Sequence, residues 1–427
     1  MVTGHQEDAA AGLNRRELIG GGVAAAGTLA MGPEFWKALA RPAVPGRGPY
    51  GPLRPPDANG IMLPDGFRSR VIARGLAPVA GTAYLWHIFS DGASTYRTGD
   101  GGWILVSNSE VPTPVDLPLD TPIGNPGEGG ASAIRFNRDG GIVDAYRILS
   151  GTSSNCAGGT TPWGTWLSCE ETDTGRVWEC DPAGKRKAVA RPAMGVFKHE
   201  AACIDRRTGF AYLSEDDGEG CFYRFRPARM GDLSKGRLEV ARVRRRRRVE
   251  WVRVPDPSAA SMPTRDQVAG AKRFQRGEGI WFDSGTVYLA TTSDSRIWAY
   301  DTRRERIRVL YNPAKIEDPP LTDVDNITVH RQSGDLFVCE DNGAPDAYDI
   351  AIINQGRRRR RRHPQVARFL KLTGIQHGEP ETQLASEVAG VCFNPRGTRM
   401  YLASQRGFGT GVIYEVSGPF RRTRTRG

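Results

Sequence analysis

Short runs of alternating apolar and polar residues recur along most of this chain, each bounded by Gly, Asp, Asn or Pro. Residues 176–181 (RVWECD) are echoed at 221–225 (CFYRF), 296–301 (RIWAYD) and 411–416 (GVIYEV). Each run is short and carries an aromatic near its centre. A second kind of run precedes some of them: 209–216 (GFAYLSED), 285–291 (GTVYLAT), 334–341 (GDLFVCED) and 398–404 (TRMYLAS). Period-two alternation closed by turn residues predicts strands and tight turns. Each close pair of runs reads as neighbouring strands of one small sheet. Few later stretches carry a helical period, and 52 glycines in 427 residues suit a turn-rich all-β chain.

Small sheets repeated at roughly 40 to 80 residues predict blades around an axis, a β-propeller with insertions of uneven length. The pattern alone leaves five to seven blades open. A β-sandwich or two β domains would carry similar strands, but no Pro/Gly/Ser linker divides the chain after residue 60. The expected organisation is a leader at 1–40, an extended segment at 41–60 and one propeller domain at 61–427.

The leader is read from its order of features. Arg15 and Arg16 precede an uncharged Gly/Ala-rich run at 18–30, and Ala38-Leu39-Ala40 offers small residues for a signal peptidase. That order predicts recognition by the twin-arginine export machinery, cleavage near Arg41 and a periplasmic, cell-surface or extracellular product. The run is too short to span a bilayer, and no transmembrane anchor is expected.

The net charge of +11 is local: the Arg244–Arg248 and Arg357–Arg362 runs together equal it, leaving the rest near neutral. No aromatics interleave these runs, so they read as solvated loops and not as a specific nucleic-acid surface. The expected oligomeric state is a monomer. The seven cysteines are an odd number, so at least one thiol stays unpaired, with Cys180–Cys221 a possible bridge between blades.

Acidic residues gather at strand ends: Glu110, Glu170 and Glu171, Glu200, Glu215 and Asp216, Glu278, Asp325 with Asn326, Glu340 and Asp341, and Glu387. Propeller loops aim side chains from successive blades at one point. Carboxylates brought together this way repel unless cations neutralise them, which predicts several metal ions. Residues 155–172 (NCAGGTTPWGTWLSCEET) place a thiol, Cys169, directly before two of these carboxylates. Sulfur beside oxygen donors suits a transition metal next to an oxygen-loving cation. Strand parity puts Cys169 and Glu171 on one face and Glu170 on the other, unless the strand has already ended there. There is no G-x-S-x-G elbow and no Walker loop.

The same segment, with 103–110 (WILVSNSE), 197–202 (FKHEAA), 277–281 (GEGIW), 397–401 (GTRMY) and 404–407 (SQRG), resembles the PhoX-type secreted alkaline phosphatases. The resemblance spans most of the chain after the leader. It implies six blades and an axial cluster of iron and calcium. It places an iron ligand at Cys169, with acidic ligands at Glu170 or Glu171, Glu200, Glu278 and Glu387. It also implies hydrolysis of a small phosphoester substrate. Family members commonly carry a His-Pro-Asp-Gly-like run; here 87–92 reads HIFSDG, so His87 receives no catalytic role. Lys198, Arg406 and Asn108 are the expected substrate-handling residues, since a phosphate needs cationic or amide donors. The alternatives are a non-catalytic propeller stabilised by its metals and a calcium-dependent propeller hydrolase of another ester.

Overall fold

The computed structural model describes residues 42–112, 128–341, 348–354, 364–377 and 386–422. The eight alternating runs all form strands, spread over five of the six sheets. Blade 1 contains Ser90–Arg97, Trp103–Ser109, Gly129–Phe136 and Ile142–Thr152. Blade 2 starts at Asn155–Thr160, blade 3 at His199–Ile204, blade 4 at Gly277–Asp283, blade 5 at Val324–Val329 and blade 6 at Val388–Phe393. These six starting strands are neighbours in a closed ring, so they are the innermost strands of a six-bladed propeller. Six blades is the number implied by the family resemblance.

Closure joins the two ends of the domain. The outer strand of blade 6 is Arg68–Arg74, which pairs antiparallel with Val412–Ser417. The segment before it runs along blade 5, where Val44–Pro45 and Ile61–Met62 both pair with Gln365–Leu372. The leader at 1–40 lies outside the described residues.

A separate apolar cluster fills each of the six interfaces between adjacent blades. Both faces of each sheet are therefore buried, which explains why several strands read as nearly continuous apolar runs. A buried hydrogen-bond chain crosses one of these interfaces. Trp103 Nε1 donates to Tyr401 Oη at 3.0 Å, and Tyr401 donates to Glu415 at 2.9 Å. All seven cysteines are free and buried. The Cys180–Cys221 bridge that the sequence left open does not form, because Cys180 packs between blades 1 and 2 and Cys221 between blades 2 and 3.

Arg244–Arg248 forms an exposed turn between Asp232–Val243 and Val249–Arg253 of blade 3, tied down by Arg244 to Glu250 at 2.6 Å. The second arginine run lies outside the described residues. No helix among the described residues is long and apolar enough to cross a membrane.

Candidate metal centre

All six innermost strands share one irregularity. The register against the second strand slips once near the start, between Ser90 and Ala93, Asn155 and Gly158, His199 and Ala202, Gly277 and Ile280, Val324 and Ile327, and Ala389 and Cys392. A β-bulge leaves a residue unpaired and re-aims its side chain. The residues released here are Asp91, Cys156, Glu200, Glu278 and Asp325, with Gly390 in the sixth position. Small residues follow, because the strands crowd the axis. A Cβ on Gly92 would lie 2.5 Å from Ala157 Cα, and one on Gly279 would lie 2.6 Å from Asp325 O.

The released side chains converge with two carboxylates from neighbouring loops. Asp91, Glu110 and Cys156 form one group whose ligand atoms lie within 4.8 Å of one another. Cys156, Glu171 and Glu200 form a second, and Glu200, Glu278 and Asp325 a third. Cys156 is shared by the first two groups and Glu200 by the last two. The three groups thus form one continuous chain of donors across the axis.

The electrostatics call for cations. Glu200 is fully buried, and neither of its carboxylate oxygens has a hydrogen-bond partner among the described residues. Burial, then repulsion from Glu278, Asp325, Glu171 and Asp91, holds its carboxyl well above the usual range. Burial raises Asp91 to about 6, Glu110 to about 7 and Glu171 to about 9. The Cys156 thiol is also pushed up, first by burial and then by the surrounding carboxylates. An orphaned buried carboxylate among raised neighbours is the signature of a site that needs positive charge. The donors fit metals of two kinds. The two groups containing Cys156 pair sulfur with oxygen, whereas the third is all carboxylate.

The rim carries arginines held by further carboxylates. Arg406 bridges Glu387 at 3.4 Å and Glu110 at 3.9 Å, with Phe89 beneath its guanidinium. Glu387 is itself raised by burial and by Asp341, Glu110 and Asp91. Arg276 contacts Asp216 and Glu278 at 3.0 Å and Asp341 at 3.4 Å. Gln405 donates to Asp91 at 2.7 Å and to Glu110 at 2.5 Å. The Lys198 ammonium lies near enough to Glu171 to oppose the rise in its pKa.

The structure therefore brings together Glu110, Glu171, Glu200, Glu278, Asp325, Asp216, Asp341 and Glu387 of the expected carboxylates, with Lys198 and Arg406 close by. Others sit elsewhere. Cys169 faces Val177 in the apolar core between blades 2 and 3 and does not reach the axis; Cys156 holds that place. The parity expectation fails because the strand Trp166–Glu170 ends before Glu171, whose N–H bonds to Ser154 O and not to a second-strand partner. Glu170 is a loop fastener, accepting from Trp178 Nε1 at 2.8 Å and from Arg176 N at 3.2 Å. Glu215 is satisfied by Tyr223, Arg265 and the Cys221 N–H. Glu340 accepts from Thr322 N and stands by Asp349, away from the ligand groups. Asn326 supports the sixth bulge, accepting from Gly390 N at 2.7 Å.

Asn108 is a positioning residue and not a substrate ligand. Its amide nitrogen donates to the Cys156 and Ala157 carbonyls at 3.0 and 2.7 Å. Its oxygen accepts from Trp166 Nε1 and Ser168 Oγ, both at 2.9 Å. No polar group of the Asn108 side chain is left for a ligand. Asn108→Ala is expected to cost about 2–4 kcal/mol in chemical denaturation, from the carbonyls and donors left unpaired. It should also weaken metal retention by loosening the Cys156 bulge.

Asp91, Cys156, Gln405 and Arg276 are the site residues that sequence reasoning misses. For Asp91 and Cys156 a signal was present, since four of the five inner-strand donors precede a small residue: Asp91-Gly92, Cys156-Ala157, Glu200-Ala201 and Glu278-Gly279.

Comparisons with known proteins bear on the family and the fold. The family described as "Alkaline phosphatase PhoX" matches residues 95–183 and 172–407. No curated protein matches the chain. Among solved structures, PhoX of Pseudomonas fluorescens in complex with vanadate, a transition state analogue, aligns with a TM-score of 0.67 at 16% identity, covering 89% of this chain and 98% of that one. A gluconolactonase of Xanthomonas campestris aligns at 0.42 and 13% identity, covering 87% and 99%.

Proposed function

Since the chain belongs to the alkaline phosphatase PhoX family, we propose that its axial donor chain holds a cluster of iron and calcium and hydrolyses small phosphate monoesters. The observation that carries this reading is the sharing of Cys156 and Glu200 between successive ligand groups, with both Glu200 oxygens buried and unpartnered. In this reading the two groups that contain Cys156 hold iron, and Glu200, Glu278 and Asp325 hold calcium. Bound ions supply Lewis acidity toward a phosphoryl oxygen and lower the pKa of an attacking water.

The protein's own groups do the positioning. Arg406 and Arg276 are pinned by carboxylates of the rim and both interact with Asp341, so their remaining N–H groups are held ready for a phosphate. Lys198 adds a positive charge beside Glu171. Gln405 fixes Asp91 and Glu110 relative to each other through one amide nitrogen. Elemental analysis combined with hydrolysis of a chromogenic phosphate monoester, before and after chelation, tests the reading. Protein that retains metal and cleaves no phosphoester would favour the metal-stabilised binding propeller instead.

Export follows the same family expectation. Arg15→Lys with Arg16→Lys is expected to leave the protein in the cytoplasm with residues 1–40 attached, as read by cell fractionation. Unchanged export of the double variant would exclude the twin-arginine route.

A further inference from the structure

The innermost strands bear opposite charges at their two ends. They begin at the carboxylate level and finish, about 13–20 Å further on at strand rise, among arginines. Two adjoining cavities of about 640 and 570 Å³ open at this far end. Thr160, Arg206, Trp281 and Arg331, one from each of blades 2 to 5, line both. The larger cavity adds Arg97 and contains no carboxylate in its wall. No carboxylate in the larger cavity's wall opposes Arg97, Arg206 and Arg331, while the smaller one is also walled by Asp205, 3.7 Å from Arg207, and by Asp283. Asp283, in the wall of the smaller cavity, favours the charge on Arg331. Crowding against the wall, then the neighbouring Arg206 guanidinium, makes the charge on Arg331 harder to hold.

The space between the two ends is narrow. Between them the strands pack through Gly92, Ala157, Gly159, Ala201 and Gly279, leaving a void of only about 30 Å³. A Cβ on Gly159 would lie 1.7 Å from Ala202 O. A void of that size holds about one water, so a phosphate ester has no room to pass from the arginine-lined mouth to the carboxylate cluster.

We propose that this mouth is a second binding site, for a small phosphate-bearing anion. Guanidiniums on separate blades suit the charge and the many acceptors of a phosphate group. Thr160 and Thr328 hydroxyls border the same space, and the half-buried Trp281 indole offers a flat face to the organic part of the ligand. The site is independent of the chemistry at the other end.

Phenylphosphonate, which cannot be hydrolysed as an ester, is the probe. Its binding to the full, metal-loaded protein is measured by titration calorimetry. Arg206→Ala with Arg331→Ala is expected to remove one binding equivalent or weaken it at least tenfold. Hydrolysis of a chromogenic phosphate monoester should stay within twofold. Arg206→Lys with Arg331→Lys keeps the charge and should weaken the same equivalent at least threefold, which covers a failure of the alanine variant to fold. Trp281→Phe should weaken phenylphosphonate more than methylphosphonate. Isotherms unchanged in both arginine variants would overturn the proposal. So would a parallel loss of hydrolysis, because it would show that the two ends act as one site.

Discussion

Cys156→Ser is expected to remove iron from the protein, bleach any thiolate-to-iron absorption and lower kcat/KM for a phosphate monoester roughly 100-fold or more. The thiol is shared by two ligand groups, so its loss affects both at once. Serine is a harder donor and far less acidic, and it would not take the anionic role among four carboxylates. Cys169→Ser is the matched control. That residue is fully buried among Leu167, Val177 and Phe197. A hydroxyl there should cost about 1–3 kcal/mol of stability and leave metal content intact. Iron and colour retained in Cys156→Ser, or lost in Cys169→Ser, would return the ligand role to Cys169.

Removing the metals should make stability fall as pH rises. In the metal-free protein, burial holds Asp91 at about 6, Glu110 at about 7 and Glu171 at about 9. Unfolded carboxyls titrate near pH 4. The folded state therefore carries extra protons between those values. Its stability is full below about pH 4 and is lost progressively as pH climbs through about 9. The raised groups together represent on the order of several kcal/mol, since a tenfold change in proton affinity is worth about 1.4 kcal/mol. Bound cations replace those protons, so the metal-loaded protein should show a flat melting temperature over the same range. Parallel pH profiles with and without metal would mean that the carboxylates do not share a cation site.

The strands were legible because turns and apolar alternation are local properties. Gly285 to Thr291 and Arg296 to Asp301 pair as neighbours, as their spacing suggested. Blade number was not, because Asp349–Asn354 and Gln365–Leu372 pair across an insertion and blade 3 carries a fifth strand. At the site, Glu200 and Glu278 stood out as carboxylates beside small residues at strand starts. Cys156 and Asp91 did not, because a bulge breaks the alternation that parity arguments depend on. Cys169 was attractive through its sequence neighbours, Glu170 and Glu171. The chain separates all three, sending one to the core, one to a loop and one to the axis.

The pairing of Arg68–Arg74 with Val412–Ser417 sets an order of events during synthesis. The early strand leaves the ribosome with its hydrogen-bonding edge bare, and its partner is made more than three hundred residues later. At translation speeds of about 5–20 residues per second, that edge waits on the order of tens of seconds. During the wait it is open to pairing with other chains. Four of the seven residues in Arg68–Arg74 are arginine or serine, which helps keep such an edge soluble until the clasp can form.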